Sequence, residues 1–373
     1  MVRERAMRIG IDASHLLRPE KSGVETYTLN LLRGLLAIGD RPEVYLYAAG
    51  AERPTDADPL LAMADRARVT TAPRLWLRLR MPLWMGLDRV RVAHFPAGIL
   101  PRWVPCSAVV TLYDLAALHY PELYDPRELQ HYDELIPRSA HRSAVVLTIS
   151  ESTKRDLVRY WGVAPGKIVV TPLAAAPQFV PVRDAAHSMQ ERFGVSGPYV
   201  LACVGSGHPR KNLVAVVESL ERLQQPSIRL VIVGGPTLDA SAQAAIEQSS
   251  ARDRIMLLGH VPEECLPTVY SGAALLCFPS LYEGFGLPVL EAMACGTPVV
   301  CSNASSLPEV AGSAAVMVEP ESREALTEAM DAVLSDRHHR EALSAAGIER
   351  ARQFSWERTA GLTLDAYRKA AGE

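Results

Sequence analysis

Short apolar runs alternate along the whole chain with longer stretches whose apolar positions recur at helical spacing. Apolar runs of about four to eight residues are typical of strands buried on both faces of a sheet. Strands separated by helices predict right-handed βαβ units and parallel sheets. The predicted strands of the first half are Ile9–Ala13, Val44–Ala48, Val92–Phe95, Ala108–Leu112, Val145–Ile149 and Val169–Pro172. Those of the second half are Val200–Val204, Leu230–Val233, Ile255–Leu258, Ala274–Phe278, Pro298–Cys301 and Ala315–Val318.

A stretch rich in proline and alanine, Pro172–Val182, separates the two sets of strands and has little periodicity. The chain has 373 residues, 48% of them hydrophobic, which is more than one core usually holds. We therefore predict an α/β fold with two doubly wound domains, residues 1–180 and 181–356, that face each other across a cleft. Ser355 has the character of an N-cap and predicts a final helix over residues 357–373.

The composition excludes several classes of protein. The net charge is −3, from 39 basic and 42 acidic residues, so no overall basic field favours a nucleic-acid partner. The six cysteines are scattered without a Cys-x-x-Cys pair, which predicts a reducing compartment and no metal site. Because no segment approaches the roughly 20 apolar residues of a membrane span, we expect a cytoplasmic protein, with peripheral membrane contact left open.

The most specific pattern lies in the segment Pro279–Glu291, PSLYEGFGLPVLE. It follows an apolar strand, and its glycines allow a sharp turn and close approach of a ligand to the backbone. Pro288 suits the first position of a helix, whose N-terminus offers N–H groups and positive partial charge to an anion. Glu283 and Glu291 would repel a phosphate, but they accept hydrogen bonds from hydroxyl groups. A phosphate flanked by hydroxyls describes a nucleotide sugar.

This segment, with its continuation to Val300, resembles the Glu-x7-Glu signature of retaining GT-B glycosyltransferases of family 4, the group 1 type. The resemblance implies that Glu283 contacts the donor sugar and Glu291 the ribose. It also implies two Rossmann-like domains, with the final helix packed on the first. The alternative is an ordinary strand, loop and helix with two solvated glutamates. The loop residues that the resemblance assigns to the nucleotide sugar are Gly284, Phe285, Gly286 and Leu287.

A second pattern, Val204–Leu213, has a glycine turn and two adjacent cations between a strand and a helix. Fixed guanidinium and ammonium groups stabilise the charge that develops on a departing nucleoside diphosphate. The resemblance implies that Gly205 lies at the nucleotide and that Arg210 and Lys211 hold the diphosphate. Many relatives have an arginine where this chain has Ser206. The alternative is a solvated helix start.

The first half matches the family less closely. Gly23 precedes an amphipathic helix, and the family uses this loop beside the donor diphosphate, although a plain turn explains the glycine equally well. Tyr113 and Asp114 stand where relatives commonly have His-Asp. The resemblance implies that Tyr113 faces the donor sugar and that Asp114 orients an acceptor hydroxyl. His119 is either a substitute for the missing histidine or a structural residue.

Two other loops carry weaker signals. The family holds the base mostly through backbone groups near the position of Val261, so we assign Val261 to the nucleotide, and the sequence does not identify the base. We interpret the neighbouring His260 as a loop histidine. For Ser150, an N-cap is favoured over a binding role.

Arginine, tryptophan and leucine are interleaved in the segment Arg74–Met85, as they are in segments that lie at a membrane interface. Several relatives dock on membranes in this way and act on lipid-linked acceptors. Against this, we expect Pro82 to break the helix after two turns, and leucines at this spacing also suit core packing. Packing is the favoured interpretation, and membrane contact stays an alternative.

The resemblance covers nearly the whole chain and implies a retaining, metal-independent glycosyltransferase of polysaccharide biosynthesis. Such an enzyme moves a hexose from a nucleotide-diphosphate sugar to a hydroxyl of a glycan, glycolipid or small molecule. GDP-mannose is weakly favoured as the donor, and UDP- or dTDP-sugars stay open. We expect no cofactor and no metal. The alternatives are a nucleotide-sugar epimerase or hydrolase on the same fold, and a non-catalytic relative that binds nucleotide sugar.

Overall fold

The computed structural model describes residues 7–17, 23–50, 63–71, 75–235 and 237–373. Arg74, the first residue of the predicted interfacial segment, lies outside these ranges. The chain divides into two compact domains: a first domain that runs as far as Leu173 and includes Ser355–Glu373, and a second domain, Ala174–Phe354. No helix among the described residues is long and apolar enough to cross a membrane.

The first domain is built on a parallel sheet of seven strands. They are β1 (Arg8–Asp12), β2 (Glu43–Ala49), β3 (Arg66–Thr70), β4 (Val92–Phe95), β5 (Ser107–Leu112), β6 (Val145–Thr148) and β7 (Ile168–Val170). Their order in the sheet is β3-β2-β1-β4-β5-β6-β7, and every neighbouring pair is parallel. The six strands predicted for this half are confirmed.

The edge strand β3 was not predicted, because Arg66 and Arg68 interrupt its apolar pattern. Both arginines pair with the buried Asp88, with N–O distances of 2.9 Å and 2.6 Å. Tyr47 also donates a hydrogen bond to this carboxylate, over 2.8 Å. The strand is therefore held by a charge cluster as well as by apolar contacts, and strand-like periodicity does not reveal it.

The helices of the first domain lie between these strands, with one more at the end of the chain. Numbered along the chain, they are α1 (Gly23–Ala37), α2 (Met81–Leu87), α3 (Ala116–His119), α4 (Pro126–Gln130), α5 (Ile136–Arg142), α6 (Glu151–Trp161) and α15 (Trp356–Ala371). The Ser150 cap is confirmed, since its Oγ accepts a hydrogen bond from Thr153 N over 3.1 Å. Ser355 Oγ likewise accepts from Arg358 N, which confirms the cap of α15.

We expected Pro82 to break the helix of the interfacial segment, but the helix continues through it. A π-helical turn, Trp76–Arg80, leads directly into α2, and Pro82 lies in the first turn of that helix. A proline is tolerated there because the N–H groups of a first turn have no partner within their own helix. The π turn before α2 is wider than an α-helical turn, and the chain passes from it into α2 without a break.

The second domain is built on a parallel sheet of six strands. They are β8 (Tyr199–Gly205), β9 (Arg229–Gly234), β10 (Ile255–Gly259), β11 (Leu275–Phe278), β12 (Val299–Ser302) and β13 (Val316–Val318). Their order is β10-β9-β8-β11-β12-β13, so all six predicted strands are confirmed. The order reverses between β8 and β11, and sheets of this kind bind ligands beyond the carboxyl ends of the strands at that point.

Helices cover both sheets and fill a continuous apolar core within each domain. Those of the second domain are α7 (Ala185–Phe193), α8 (Leu213–Arg222), α9 (Ala240–Gln248), α10 (Leu266–Ser271), α11 (Leu287–Ala294), α12 (Leu307–Ala311), α13 (Arg323–Ser335) and α14 (Arg337–Ala351). Strands β11 and β12 are buried at every position, as expected for parallel strands covered on both faces.

The terminal helix α15 is anchored in the first domain by polar and steric contacts. Tyr367 Oη lies 2.8 Å from Nδ1 of the fully buried His94, whose Nε2 lies 2.8 Å from Thr111 Oγ1. Helix α1 packs so closely on α15 that a Cβ at Gly34 would lie 2.8 Å from the carbonyl oxygen of Trp356.

We predict that Gly34→Ala destabilises the first domain, although alanine favours a helix by about 1 kcal/mol over glycine. The added methyl group forces α1 and α15 apart, and such overpacking costs about 1–3 kcal/mol. The matched control is Gly361→Ala in α15, where no atom lies within 4 Å of an added Cβ, so that stability should rise. Calorimetric melting measures both, and an equal increase in the two variants would contradict the packing described here.

Candidate active site

Two loops of the second domain meet where its strand order reverses. One follows Gly205, the last residue of β8, and contains the 3₁₀ turn Pro209–Lys211; the other follows β11 and leads to α11. The N–H of Leu281 in the second loop donates to the carbonyl oxygen of Arg210 in the first, over 2.8 Å. The Arg210 guanidinium also donates to the carbonyl oxygen of Tyr282, over 2.8 Å. The sheet thus joins two segments that are distant in sequence.

Three charged side chains from these loops form one cluster. Arg210 Nη1 lies 2.8 Å from Glu283 Oε2, and Lys211 Nζ lies 2.6 Å from Glu283 Oε1. The side chains of Arg210, Lys211 and Glu283 are only 19%, 12% and 8% exposed. Lys211 Nζ also lies 4.9 Å from the centre of the Phe278 ring. The two cations and one anion leave the cluster with a positive charge, which suits a phosphate ligand.

The cluster perturbs the pKa of two of its members. Burial alone would raise the pKa of Glu283, but the charges and hydrogen bonds of Lys211 and Arg210 lower it to about 2. Burial lowers the pKa of Lys211, and the attraction of Glu283 opposes this effect. Glu283 is therefore ionised at any physiological pH, and each of its oxygens keeps an acceptor site beyond the one used by its cation.

The backbone of Glu283 is held by the loop that follows β12. Glu283 N donates to Ser305 Oγ over 2.8 Å. Ser306 Oγ lies 2.8 Å from the carbonyl oxygen of Glu283 and 2.7 Å from that of Phe285. These serines were not predicted, although a polar run directly after a buried strand is a signal for residues at the ligand-binding edge of a sheet.

Helix α11 begins at the end of this loop. Gly286 caps it with φ of 111°, and a Cβ there would lie 2.5 Å from Leu307 Cδ2, so only glycine fits. Phe285 is buried, and Leu287 is the first residue of the helix. In the first turn Pro288 has no N–H, and the N–H groups of Val289 and Leu290 donate to the carbonyl oxygen of Gly286. The N–H of Leu287 has no hydrogen-bond acceptor among the described residues and is the one that this turn can offer to an anion.

Glu291, the second glutamate of the motif, has a different environment. Its Oε2 accepts a hydrogen bond from Tyr270 Oη over 2.8 Å. The pKa of Glu291 is raised to about 8, mainly by burial. The charge of Glu263 adds to this increase, and the hydrogen bond from Tyr270 opposes it. The carboxyl group is therefore mostly protonated at neutral pH, unlike that of Glu283.

Tyr113 and Asp114, two predicted residues of the first domain, lie directly beyond the carboxyl end of β5. Tyr113 Oη is buried and has no hydrogen-bond partner among the residues that the structure describes, and the ring packs edge-on against Tyr27 with centroids 5.5 Å apart. The carbonyl oxygen of Tyr113 accepts from Thr153 Oγ1 over 3.0 Å. Asp114 Oδ1 accepts from Ala116 N over 3.0 Å and so stabilises the start of α3.

Four other predicted residues, His119, Gly23, Val261 and Gly205, occupy four separate places. His119 Nε2 lies 2.9 Å from Asp156 Oδ2, so this nitrogen links α3 to α6. Gly23 is the first described residue of α1 and is exposed. Val261 is buried in the loop that follows β10. Gly205 ends β8 with φ of 54°, and no atom lies within 4 Å of an added Cβ, so the space beside it is open.

Comparison with known proteins adds independent information. A family described as Glycosyl transferases group 1 matches residues 187–350, and one described as Glycosyltransferase Family 4 matches residues 21–178. The D-inositol 3-phosphate glycosyltransferase of Xylanimonas cellulosilytica is 32% identical, over 98% of this chain and 97% of that protein. The chain belongs to the group 1, family 4 glycosyltransferases.

Other similar proteins agree with this assignment. The O-antigen chain mannosyltransferase B of Escherichia coli is 28% identical, over 96% of this chain and 99% of that protein. The crystal structure of Anabaena Alr3699/HepE in complex with UDP-glucose superimposes with a TM-score of 0.76 at 16% identity, over 96% of this chain and 99% of that chain. The prediction of a GT-B glycosyltransferase with two Rossmann-like domains is confirmed, and the chain is a transferase enzyme.

In this glycosyltransferase, the structure brings Arg210, Lys211 and Glu283 together, and it gives Glu291 a separate partner. Tyr270 was missed by the sequence analysis, because it reaches Glu291 from a different helix, α10, and no local pattern marks that contact. All six cysteines are unpaired. Among the described residues, no group of three or more His, Cys, Asp or Glu side chains is arranged to hold a metal ion.

We predict that Glu291→Gln stabilises the second domain at alkaline pH. The pKa of Glu291 is raised from about 4.5 in the unfolded chain to about 8, so the folded state binds more protons between these values. Wild-type stability should therefore fall as the pH rises through this window, by up to about 1.4 kcal/mol per pH unit, while the glutamine stays neutral. Melting temperatures of both proteins from pH 5 to 9 measure the difference, and a difference independent of pH would show that Glu291 titrates normally.

Glu283→Gln is the matched control, because the pKa of Glu283 is shifted in the opposite direction, to about 2. Its contribution to stability is present at neutral pH and is lost as the pH falls from about 4.5 towards 2. This variant leaves Lys211 and Arg210 without their anion, so it should be less stable than the wild type at pH 7.

Proposed function

We propose that this glycosyltransferase transfers a hexose from a nucleotide-diphosphate sugar to a hydroxyl group of a glycan, glycolipid or small-molecule acceptor, with retention of configuration. The observation that carries the proposal is the buried cluster of Arg210, Lys211 and Glu283 at the reversal of strand order. Cations at that place suit a diphosphate, and an ionised carboxylate beside them suits the hydroxyls of a sugar.

Each residue of the cluster has a proposed role. Arg210 and Lys211 bind the diphosphate and stabilise the charge that grows on it as the sugar departs. Glu283 accepts hydrogen bonds from sugar hydroxyls through its remaining acceptor sites. The helix α11, which begins at Leu287 after the Gly284–Gly286 loop, offers the N–H of Leu287 and the positive partial charge of its N-terminus to the same diphosphate. We further propose that Glu291 binds the ribose and that Gly205 and Val261 line the nucleotide site.

The proposed step is a displacement on one face of the sugar. The bond between the anomeric carbon and the β-phosphate oxygen breaks, and its electron pair remains on the phosphate. The acceptor oxygen bonds to the same carbon on the same face, and its proton passes to the β-phosphate oxygen. This step requires neither a protein base nor a metal ion. The roles of Gly23, Tyr113, Asp114 and His119 stay predictions.

We propose mannose as the sugar and a polysaccharide as the product. The similarity to the O-antigen chain mannosyltransferase B supports this choice over the whole chain. Other similar proteins differ in donor or acceptor: Alr3699/HepE is in complex with UDP-glucose, and the D-inositol 3-phosphate glycosyltransferases are named for another acceptor. The base of the donor and the acceptor of this enzyme are therefore questions for experiment.

We predict that one nucleoside diphosphate among UDP, GDP, dTDP and ADP stabilises the protein selectively. A ligand at about 100 times its dissociation constant raises the unfolding free energy by about 2.7 kcal/mol, which thermal melting detects. In Lys211→Ala the shift should largely disappear, because the cation that faces the diphosphate is gone. The exposed Arg337→Ala is the matched control and should keep the shift.

The possible outcomes test different parts of the proposal: the nucleotide site, the role of the cluster and the type of reaction. No shift with any nucleotide would overturn the nucleotide-sugar site. A full shift in Lys211→Ala would leave the site in place but remove the role of the cluster. Turnover of the donor without any acceptor, at the rate seen with one, would favour the hydrolase or epimerase alternative.

We also propose that the segment from Leu75 to Leu87 rests on an anionic membrane surface. Leu83 and Leu87 are 48% and 75% exposed and lie four residues apart on one face of α2, while Met81 and Met85 are buried on the other. The exposed arginines of the preceding turn supply positive charge for anionic lipid headgroups. Met81 and Met85 are packed in the core, as the packing interpretation of the sequence predicts for one face of the segment. The other face is exposed, and we propose that it contacts the membrane.

We predict that the protein sediments with vesicles that contain phosphatidylglycerol and not with purely zwitterionic vesicles. The double variant Leu83→Ser/Leu87→Ser should bind at least tenfold more weakly, because each buried leucine contributes about 1.5–3 kcal/mol. Leu257→Ser removes a leucine of similar exposure, 56%, from the second domain and should bind as the wild type does. Equal binding by all three proteins, or none by the wild type, would refute the proposal.

A further inference from the structure

Asn212, directly after Lys211, has an unusual backbone and an unusual set of partners. Its φ and ψ are 56° and 40°, in the left-handed region that asparagine tolerates better than most residues. It stands at the N-cap of α8, but its side chain makes no capping hydrogen bond to that helix. The usual explanation of an asparagine at a helix start therefore does not account for it.

The side-chain amide instead ties three loops together. Nδ2 donates to the carbonyl oxygen of Pro279 over 3.1 Å and to that of Pro320 over 2.8 Å. Pro279 follows β11 and Pro320 follows β13, whereas Asn212 belongs to the loop that follows β8. Both amide hydrogens are thus used to hold the end of the turn that carries Arg210 and Lys211.

Side-chain packing alone does not hold Asn212, the residue at the end of the turn, in place. A cavity of about 460 Å³ lies beside Asn212 and is lined also by Leu281 and Pro320. The turn is also held by backbone hydrogen bonds: Arg210 N donates to His208 Nδ1 over 3.2 Å, Leu281 N donates to the carbonyl oxygen of Arg210 over 2.8 Å, and Asn212 N donates to that of Pro209 over 2.9 Å. These bonds close the turn on itself and join it to the loop after β11, whereas the side-chain amide of Asn212 is what joins its end to Pro279 and Pro320.

We infer that Asn212 is a positioning residue that sets the place of Lys211 and Arg210 for the diphosphate, an inference that rests on the proposed function. Glycine would keep the left-handed backbone and remove both hydrogen bonds. Aspartate would keep the shape but would set a carboxylate against two carbonyl oxygens. The side chain touches no reacting group, so its effect on binding is transmitted through the two cations.

The test compares diphosphates with matched monophosphates. GDP with GMP and UDP with UMP are titrated by calorimetry into the wild type, Asn212→Ser, Asn212→Gly and Asn212→Asp. We expect affinity for the bound diphosphate to fall at least tenfold in Asn212→Gly and further in Asn212→Asp, with the monophosphate nearly unchanged. Asn303→Ala, which removes the hydrogen bond of another loop asparagine to Glu319, is the matched control and should bind as the wild type does.

A double-mutant cycle separates positioning from a general structural role. In the Lys211→Ala background, Asn212→Gly should cost much less than in the wild type, because the cation that it positions is absent. Equal costs in both backgrounds, equal losses for diphosphate and monophosphate, or wild-type affinity in every folded Asn212 variant would each overturn the inference. If the wild type binds no diphosphate, the proposed function has failed as well; if Lys211→Ala binds diphosphates as the wild type does, the inference and the role of the cluster fail while the nucleotide site stands.

Discussion

The ion pairs of Glu283 with Arg210 and Lys211 join the loops that follow β8 and β11. A carboxylate as buried as this one is costly unless its charge is paired and its other polar groups are bonded. The two cations supply the charge, and Ser305 and Ser306 bond the backbone on either side. Removal of Glu283 leaves two buried cations without an anion, whereas removal of Arg210 or Lys211 leaves Glu283 paired with the other cation.

One motif therefore holds two glutamates with opposite properties. Glu283 lies between cations and is ionised at every physiological pH, whereas Glu291 lies beside the phenol of Tyr270 and is largely protonated near pH 7. An ionised carboxylate only accepts hydrogen bonds, while a protonated one both donates and accepts. The two carboxyl groups of the motif therefore offer different hydrogen-bonding capacity.

The resemblance to the family implies two departures in this chain, Ser206 for an arginine and Tyr113 for a histidine, and the structure gives each a physical context. With Ser206 in place of the usual arginine, Arg210 is the one guanidinium beside Lys211 in the described cluster, and it is also committed to Glu283 and to the carbonyl oxygen of Tyr282. Tyr113 replaces a histidine and carries a buried hydroxyl without a partner among the described residues. A buried hydroxyl of this kind is costly to leave unbonded.

The sequence by itself determined the two parallel sheets, the helix caps at Ser150 and Ser355, and the segments that carry Arg210, Lys211 and Glu283. These features are local: apolar periodicity, glycine turns and cap residues act over a few neighbouring positions. Only the tertiary structure decided the edge strand β3, the partner of Glu291 and the two hydrogen bonds of Asn212. Each depends on atoms far apart along the chain: Asp88 for β3, Tyr270 for Glu291, and two carbonyl groups on other loops for Asn212. The protonation states of Glu283 and Glu291 also depend on the tertiary structure, since burial and neighbouring charges exist only once the chain has folded.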